Sequence, residues 1–535
     1  MNAYVQAVCC LWVTEVFIHR GISPQAVPRV IDRVGAGFST DLIRRFFTFT
    51  ALFGCMLIAM LCRLHMHLRI DARSSPGNPW TGTAVAKSPV MYVCMHADVL
   101  FQQSGDTRMN QSERTTDPDY PLSPVPETAR KSMWSMSFVL LGFTFFSATM
   151  WAGGSVGAAF DFSTTLWVLL IGNLLLGAYA AILGYIAARS GLNTALMSRY
   201  AFGEIGSKLS DFILGFTQIG WYAWGTATMA LLLVKMTGLP DSLTLPLMVV
   251  FGFGFCISAF VGYRGLDLLS RFAVPAMLIL IAVSLGIATK DAGGLSGLSA
   301  IAPSAELSVA AAITMVFGTF VSGGTQATNW TRFAKSGKAA VIATLAAFFI
   351  GNGLMTLVGA FGALVYQQAD IVDILVAQGL ATLGVLMLFL NLWTTQDNTV
   401  YNFAVAGCNL LRTERRRTIT VIGAAIGTLL AVLGMYEWLI PFLILLGTFI
   451  PPVGGVIMAN YFVTWRGRYA DLGSTALPAF NVIGLIAYAL GSLVAYTSNW
   501  IAPVVGVLVA AASYALQALL VSAVKERRAA LMSNL

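Results

Sequence analysis

Twelve apolar segments of 18 to 29 residues follow one another between residues 134 and 524, separated by short polar stretches. About 20 consecutive apolar residues cross the hydrocarbon core of a bilayer as one α-helix. Only 10% of the residues are charged, against roughly 25% in soluble domains. The pattern predicts an all-α integral membrane protein with twelve transmembrane helices. The predicted spans are 134–160, 163–188, 210–235, 245–263, 269–289, 307–331, 338–366, 374–400, 418–435, 438–463, 476–497 and 501–524.

The positions of lysine and arginine test this number of spans, because cationic residues concentrate in cytoplasmic loops. The odd-numbered loops carry two of them, Lys235 and Lys290. The even-numbered loops carry fourteen: Arg189, Arg199, Lys208, Arg264, Arg271, Arg332, Lys335, Lys338, Arg412, Arg415, Arg416, Arg417, Arg466 and Arg468. This bias places both ends of the twelve-span domain in the cytoplasm. It also accounts for the net charge of +8 without a nucleic-acid partner.

Residues 1–108 differ in composition from the rest of the chain. They contain five of the seven cysteines and all four histidines, and their single apolar run, Phe46 to Cys62, is at the short limit for a span. A polar, charged and proline-containing sequence typical of a cytoplasmic tail begins at Met109. We therefore expect an atypical extension at 1–108 with the working start at Met109, a cytoplasmic tail at 109–133, the twelve-span domain at 134–524 and a second cytoplasmic tail at 525–535.

The first and the sixth span each contain a glycine pair, Gly153–Gly154 and Gly323–Gly324. Unwound backbone at membrane depth persists only where it lines a cavity or is buried in protein. We interpret the sequences Ser147–Gly154 and Val321–Thr325 as corresponding helix breaks, which predict inverted repeats around a site at the membrane midplane. The alternative for each pair is close packing between helices, which small residues permit.

Gln218 and Trp221 are three residues apart in the third span and therefore share one helix face. A buried amide requires hydrogen-bond partners, and its adjacent donor and acceptor match one edge of a pyrimidine base. In the sixth span, Phe320 can form the second face of an aromatic sandwich with Trp221, and Ser322 lies at the predicted break. Taken singly, each of these residues also fits ordinary packing or hydrogen bonding between helices.

The eighth span carries Asn391, Thr394 and Thr395 on one face, at spacings of three and four. This face is a ladder of neutral oxygens, and hard cations take oxygen ligands. The alternative is hydrogen bonding between helices. Asp397 follows, and it fits either a gate or proton acceptor inside the membrane or a solvated carboxylate at the end of the span.

At these residues the chain resembles the bacterial cytosine permeases of the nucleobase:cation symporter family. The resemblance runs from about Pro124 to the C-terminal region and rests on the segments LGFTFFSATMWAGG, IGNLLLG, TQIGW, NLWTTQDN and IPPVGGVI. It implies a LeuT-like fold of two inverted five-helix repeats with broken helices 1 and 6, followed by two extra helices. It also implies import of cytosine with sodium by alternating access across the plasma membrane.

The resemblance assigns two sets of site residues. The implied substrate pocket consists of Gln218, Trp221, Phe320, Gly318, Thr319, Ser322, Phe146 and Asn391. The implied sodium site consists of backbone carbonyls of Gly142, Phe145 and Asn391 and hydroxyls of Thr394 and Thr395. We expect no cofactor beyond sodium as the coupling ion, and no nucleic acid or obligate protein partner.

The chain departs from the family pattern at Thr319, where a serine is usual, and at Gln396, where an asparagine is usual. Both positions lie beside the implied pocket, so uracil, hydantoin or allantoin remain alternative substrates, and the proton an alternative coupling ion. A membrane receptor that signals through residues 1–108 is an alternative of another class. An intramembrane enzyme is disfavoured, because the hydrophobic body has no histidine and no nucleophile paired with a base.

Overall fold

The structure is a computed structural model that describes residues 117–368 and 371–533. In these two ranges the regular elements are helices, with one isolated parallel bridge between Lys131 and Ala334. The predicted apolar run from Phe46 to Cys62 and the predicted start at Met109 lie outside the described residues.

The first half of the domain contains α1 (Met133–Thr144), α2 (Ser147–Ala159), α3 (Phe162–Ser190), α4 (Thr194–Phe202), α5 (Ser207–Thr237), α6 (Thr244–Gly254), α7 (Cys256–Val261), α8 (Tyr263–Asp291) and α9 (Leu295–Ala300). The second half contains α10 (Val309–Gly318), α11 (Val321–Gln326), α12 (Thr328–Thr331), α13 (Gly337–Leu345), α14 (Asn352–Tyr366), α15 (Ile371–Ala377), α16 (Ala381–Leu411), α17 (Arg416–Val432), α18 (Leu439–Phe449), α19 (Pro451–Ala459), α20 (Val482–Thr497) and α21 (Ala502–Ser533). Short 3-10 turns lie at Glu127–Ala129, Asp241–Leu243 and Met435–Trp438, and π-helical segments at Ala346–Gly351 and Asn460–Thr464.

Every predicted span overlaps one helix or consecutive helices, but some predicted bounds were wrong. The helix of the eighth span continues to Leu411, that of the eleventh begins at Val482, and α21 continues to Ser533, into the predicted tail 525–535. Within the described ranges, six helical segments are long and apolar enough to cross a membrane, and the bent pairs at the first and sixth spans bring the number to eight. The helices α5 and α16 have 31 residues each, which is about 46 Å at a rise of 1.5 Å per residue. Both carry polar residues along their length, and neither is among the segments that are apolar enough by this criterion. The number of twelve spans therefore stays a prediction.

Large apolar side chains cover the outside of the helix bundle. The exposed fraction reaches 61% at Trp167 on α3, 71% at Phe272 on α8 and 62% at Leu508 on α21. Soluble monomers rarely expose apolar patches of this extent, whereas a lipid environment favours them. The outer surface thus agrees with the composition in placing this domain in a bilayer.

The first and sixth spans are both broken, as the sequence predicts. The axes of α1 and α2 differ by 59°, and α10 is bent by 46° against the helical segment Val321–Thr331. The positions of the breaks were predicted wrongly. The chain leaves the helix at residues 145–146 and 319–320, whereas both glycine pairs lie inside α2 and α11.

The glycines of α2 serve close packing, which was the alternative interpretation. A Cβ atom on Gly153 would lie 2.7 Å from Cα of Thr356, and one on Gly157 would lie 2.8 Å from Cα of Ala360. Both neighbours belong to α14. Only a residue without a side chain allows the two backbones to approach this closely.

The segment 117–131, which we call the tail segment, is bound to the ends of several helices. Arg332 donates hydrogen bonds to the carbonyls of Asp119 and Tyr120, each at 2.6 Å. Arg130 donates to the carbonyls of Ala188, Arg332 and Ala334 at 2.7 to 2.9 Å. The tail segment therefore connects the end of α3 with the end of α12.

The buried side chain of Asp119 lies where α8 begins. Its Oδ2 accepts a hydrogen bond from the Tyr263 N–H at 3.0 Å and lies 3.4 Å from Nε of Arg416. Gly262 has a φ of 98°, and a Cβ atom there would collide with both ionised side chains. Burial raises the pKa of the Asp119 carboxyl, and the Arg416 guanidinium opposes this shift. The carboxylate form of Asp119 thus depends on Arg416.

Candidate substrate and cation site

The break between α1 and α2 is held by a side chain of α16. Asn391 donates from Nδ2 to the carbonyl of Phe145 at 2.7 Å, and its Oδ1 accepts from the N–H of Ser147 at 3.1 Å. The last carbonyls and the first N–H groups of a helix lack partners within that helix. A break inside a span therefore leaves carbonyls unpaired on one side and N–H groups unpaired on the other. One amide side chain satisfies a carbonyl on one side of the break and an N–H on the other.

The residues of the predicted sodium site lie together at this break. Thr395 Oγ1 is 3.3 Å from the carbonyl oxygen of Phe145 and 3.1 Å from that of Asn391. Thr394 Oγ1 is 3.0 Å from the same Asn391 carbonyl. A Cβ atom on Gly142 would lie 3.5 Å from Cβ of Thr394, which places the end of α1 against α16. All five residues are buried, and the oxygens they contribute are neutral.

The two predicted faces of the aromatic sandwich are connected through Phe146. The ring centroid of Phe146 lies 5.4 Å from that of Trp221 and 6.0 Å from that of Phe320, with interplanar angles of 82° in both pairs. Trp221 also contacts Phe442 at 5.5 Å. In this conformation the Phe146 ring is therefore nearly perpendicular to both rings of the predicted sandwich and contacts each of them.

Gln218 carries an unpaired acceptor in the interior of the protein. The residue has no exposed surface, and its Nε2 donates to Oε1 of Gln326 at 2.7 Å. Its Oε1 has no hydrogen-bond partner among the described residues. An unsatisfied buried acceptor costs about 1–3 kcal/mol, so a ligand that donates a hydrogen bond here gains at least part of that free energy.

Gln326 was not singled out from the sequence. It belongs to the run Ser322–Gln326 of α11 and lies 108 positions after its partner. The sequence signal that could have identified Gln326 is its position as a polar residue in a span, close to a predicted break. The sequence does not show whether Gln218 or Gln326 donates the hydrogen bond between them, because that depends on the folded geometry.

The remaining predicted pocket residues lie at the junction of α10 and α11. Thr319 Oγ1 donates to the carbonyl of Val316 at 2.7 Å and accepts from Asn352 Nδ2 at 3.1 Å. This network continues to Asn173 on α3, so the hydroxyl of Thr319 also serves to join helices. The eight predicted pocket residues are all buried: Gln218, Trp221, Phe320, Gly318, Thr319, Ser322, Phe146 and Asn391.

Two polar residues that follow on α16 contact other helices. Gln396 Nε2 lies 3.2 Å from the carbonyl of Trp221 and thus contacts the backbone of α5 beside the aromatic cluster. Asp397 has no exposed surface and accepts from Ser258 Oγ at 2.7 Å and from Asn398 Nδ2 at 3.0 Å. The alternative that Asp397 is a solvated carboxylate at the end of a span was therefore wrong. Asp397 lies in the middle of α16.

A cavity of about 360 Å³ lies next to the broken helices. Residues of α2, α10 and α14 line it together with the chain that precedes α10, including Gly154, Ala158, Met315 and Ala363. Met315 is one turn from Gly318 at the break in the sixth span. The residues that line it do not include any of the eight predicted pocket residues, so this cavity is separate from the candidate pocket.

A sequence profile described as a permease for cytosine/purines, uracil, thiamine and allantoin matches residues 124–521. The chain is 40% identical over 398 residues to the cytosine permeases of Escherichia coli K12 and Escherichia coli O157:H7, an alignment that covers 74% of this chain and 94% of each relative. The chain belongs to this permease family. An allantoin permease of Bacillus subtilis is 24% identical over 472 residues, covering 75% of this chain and 92% of that protein. The family resemblance seen in the sequence is thus confirmed.

Solved structures agree with the family at the level of the fold. Mhp1, a nucleobase-cation-symport-1 family transporter in a closed conformation with bromovinylhydantoin bound, gives a TM-score of 0.67 at 18% identity, covering 74% of this chain and 94% of Mhp1. A Na+-coupled sialic acid symporter gives 0.58 at 13% identity, covering 76% and 93%. At such identities the likeness concerns the fold alone. The permease shares the helical fold of these transporters.

Proposed function

We propose that this permease imports cytosine together with sodium across the plasma membrane by alternating access. The observation that carries the substrate assignment is the unpaired Gln218 oxygen, buried on the same helix face as the ring of Trp221. The 40% identity to cytosine permeases over most of the chain supports the same substrate. The bias of lysine and arginine supports a domain with both ends in the cytoplasm.

Cytosine offers hydrogen-bonding groups that match the amide of Gln218. Its exocyclic amino group can donate to Oε1, and its ring nitrogen N3 can accept the second N–H of Nε2, while the first N–H stays bonded to Gln326. Uracil carries a carbonyl and an N–H at these two positions and requires the reverse orientation of the amide. Stacking against Trp221 and Phe320 adds attraction that does not depend on the substituents of the ring. Uracil, hydantoin and allantoin are the alternatives to be compared directly.

The proposed sodium site uses carbonyls of Gly142, Phe145 and Asn391 and hydroxyls of Thr394 and Thr395. Neutral oxygens suit a hard monovalent cation that must be released in each cycle. The break that supplies the carbonyls also carries Phe146, which contacts both aromatic faces. A cation that orders this break therefore orders the substrate pocket, which provides the physical basis for coupling.

For the fold we propose two inverted five-helix repeats followed by α20 and α21. The matched breaks in the first and sixth spans support this arrangement, because broken helices at corresponding positions mark midplane sites in transporters of this type. We also propose that residues 1–108 are dispensable for transport, since the family profile matches from residue 124 onward. A variant that begins at Met109 should retain uptake.

The test is uptake of radiolabelled cytosine into liposomes that contain the purified protein. An inward sodium gradient is expected to drive accumulation, and an equal potassium gradient or liposomes without protein should not. Unlabelled cytosine should compete better than uracil, hydantoin or allantoin. Accumulation that ignores sodium and collapses with the proton gradient would replace sodium by the proton, and stronger competition by another base would change the substrate.

A further inference from the structure

Ser270 on α8 is a fully buried hydroxyl without a hydrogen-bond partner among the described residues. A serine inside a membrane helix ordinarily donates to the carbonyl one turn earlier, as Thr289 on the same helix does to Leu285 at 2.7 Å. Buried polar atoms in native proteins are almost always paired. The free hydroxyl of Ser270 therefore indicates either a missing ligand or a specific use.

The hydroxyl of Ser270 lies directly against the end of α1. A Cβ atom on Gly142 would be 2.6 Å from Ser270 Oγ and 3.5 Å from Cβ of Thr394. Ser270 and Thr394 thus both lie on the side of Gly142 where a Cβ atom would point, close to the residue whose carbonyl belongs to the proposed sodium site. The absence of a side chain at this position leaves Ser270 facing the main chain.

Two further contacts show how this face of α8 is placed. Seven residues before Ser270, the hydroxyl of Tyr263 lies 3.3 Å from Ser135 Oγ on α1. Seven residues after it, Met277 Sδ lies 3.5 Å from Nδ2 of Asn391 on α16. Residues seven apart share a helix face, so Ser270 lies between a contact with α1 and a contact with α16. The proposed sodium site is formed by the same two helices.

From this geometry we propose that Ser270 Oγ is a further oxygen ligand of the sodium site, supplied by a third helix. This proposal rests on the sodium symport proposed above. A hydroxyl lone pair directed at the cation satisfies the unpaired Ser270, and a neutral oxygen is the ligand type already present there. Sodium would then connect α8 with α1 and α16, so that its binding fixes the relative positions of three helices.

The nearest ionised groups on α8 do not compete for this role. Asp267, one turn before Ser270, accepts hydrogen bonds from Ser135 and from Arg271, whose guanidinium lies 2.9 Å away. Its charge is thus matched by Arg271 on the same helix. The cation site remains a set of neutral oxygens when Ser270 is included.

The experiment compares Ser270→Ala with Ser284→Ala in the purified, full-length protein. Ser284 is a buried serine on the same helix, and its hydroxyl bonds Gln378 instead. Two readouts are titrated with sodium: the thermal midpoint without cytosine, and cytosine uptake into liposomes. Ser270→Ala should raise the half-saturating sodium concentration about tenfold in both readouts. A tenfold change corresponds to the free energy of one lost polar contact. Cytosine affinity at saturating sodium should stay unchanged, and Ser284→Ala should match the wild type.

A third variant separates ligation from packing. Ser270→Cys preserves the volume of the side chain but replaces a hard oxygen by a soft sulfur, which sodium binds poorly. It should lose sodium affinity as Ser270→Ala does. If Ser270→Ala or Ser270→Cys shows the same sodium dependence as the wild type, Ser270 is not a ligand. A wild type whose stability and uptake both ignore sodium would overturn the proposed symport itself, and the two failures are thereby distinguished.

Discussion

Asn391 Oδ1 accepts a hydrogen bond from the N–H of Ser147 at 3.1 Å, although 244 positions separate the two residues. The same amide donates to the carbonyl of Phe145, so one side chain of α16 holds the break in the first span. The main-chain carbonyl of Asn391 in turn accepts from Thr394 and Thr395. The structural support of the break and the proposed cation site therefore share this residue.

Replacement of Asn391 by leucine should impair stability and transport together. The Ser147 N–H would lose its partner, at a cost of about 1–3 kcal/mol, and the Phe145 carbonyl would keep only its contact with Thr395. The thermal midpoint of the purified protein should fall, and uptake should be lost at every sodium concentration. Asn402→Leu on the same helix removes one bond, to Asn329 Nδ2, and should retain sodium-dependent uptake. Normal uptake by Asn391→Leu would contradict the role of this side chain.

Trp221→Ala should abolish cytosine uptake while the protein still reaches the membrane. The substitution removes a ring that packs against Phe146 and Phe442 and that forms one face of the proposed sandwich. Trp221→Phe should retain weak uptake, because it preserves an aromatic face. Trp167→Ala serves as the control, since that indole is 61% exposed on the outer surface. Uptake at the wild-type level by Trp221→Ala would remove the sandwich.

The double variant Thr394→Ala with Thr395→Ala should weaken sodium binding before it affects cytosine. Two hydroxyl ligands disappear, so the half-saturating sodium concentration should rise by roughly tenfold or more. At saturating sodium the affinity for cytosine should be restored. Binding free energies are reciprocal, so cytosine should tighten sodium binding in the wild type by the factor by which sodium tightens cytosine binding. A factor of one in both directions would show that the two sites are not coupled at equilibrium.

Removal of Arg416 should release the tail segment. Arg416 lies 3.3 Å from Asp117 and 3.4 Å from Asp119, and breaking a buried pair on one side typically costs about 3–5 kcal/mol. Arg416→Met should therefore lower the thermal midpoint and expose the segment to protease. Adding Asp119→Leu removes one of the carboxylates left without Arg416, so the double variant should recover part of the loss. Equal loss in the single and double variants would argue against the ion pair.

The helices and the identity of the two broken spans could be predicted from the sequence, because apolar length and glycine content are local signals. The position of each break could not. The chain departs from the helix at Phe145 and Phe146, where no glycine occurs, since the freed groups are satisfied by Asn391 from a distant span. From the sequence we interpreted the glycine pairs as helix breaks. In the structure the glycines of α2 instead allow close packing against α14.

The site shows the same division. The placement of Gln218 and Trp221 on one face of α5, and of the oxygen ladder on one face of α16, was predictable from their spacing. Their roles in binding stay a prediction. Gln326 and Ser270 were not predictable, because their roles depend on which atoms remain unpaired after folding. Asp397 could be placed only once the bundle around α16 was known, since a span boundary read from hydropathy does not show burial.

Arg130 and Arg332 hold the tail segment through main-chain carbonyls. Every amino acid presents the same carbonyl, so this part of the anchorage does not depend on the side chain of Tyr120. We therefore expect an asymmetry in mutational tolerance: the half-buried Tyr120 should accept most replacements that keep the backbone path, whereas Arg130 and Arg332 should accept very few.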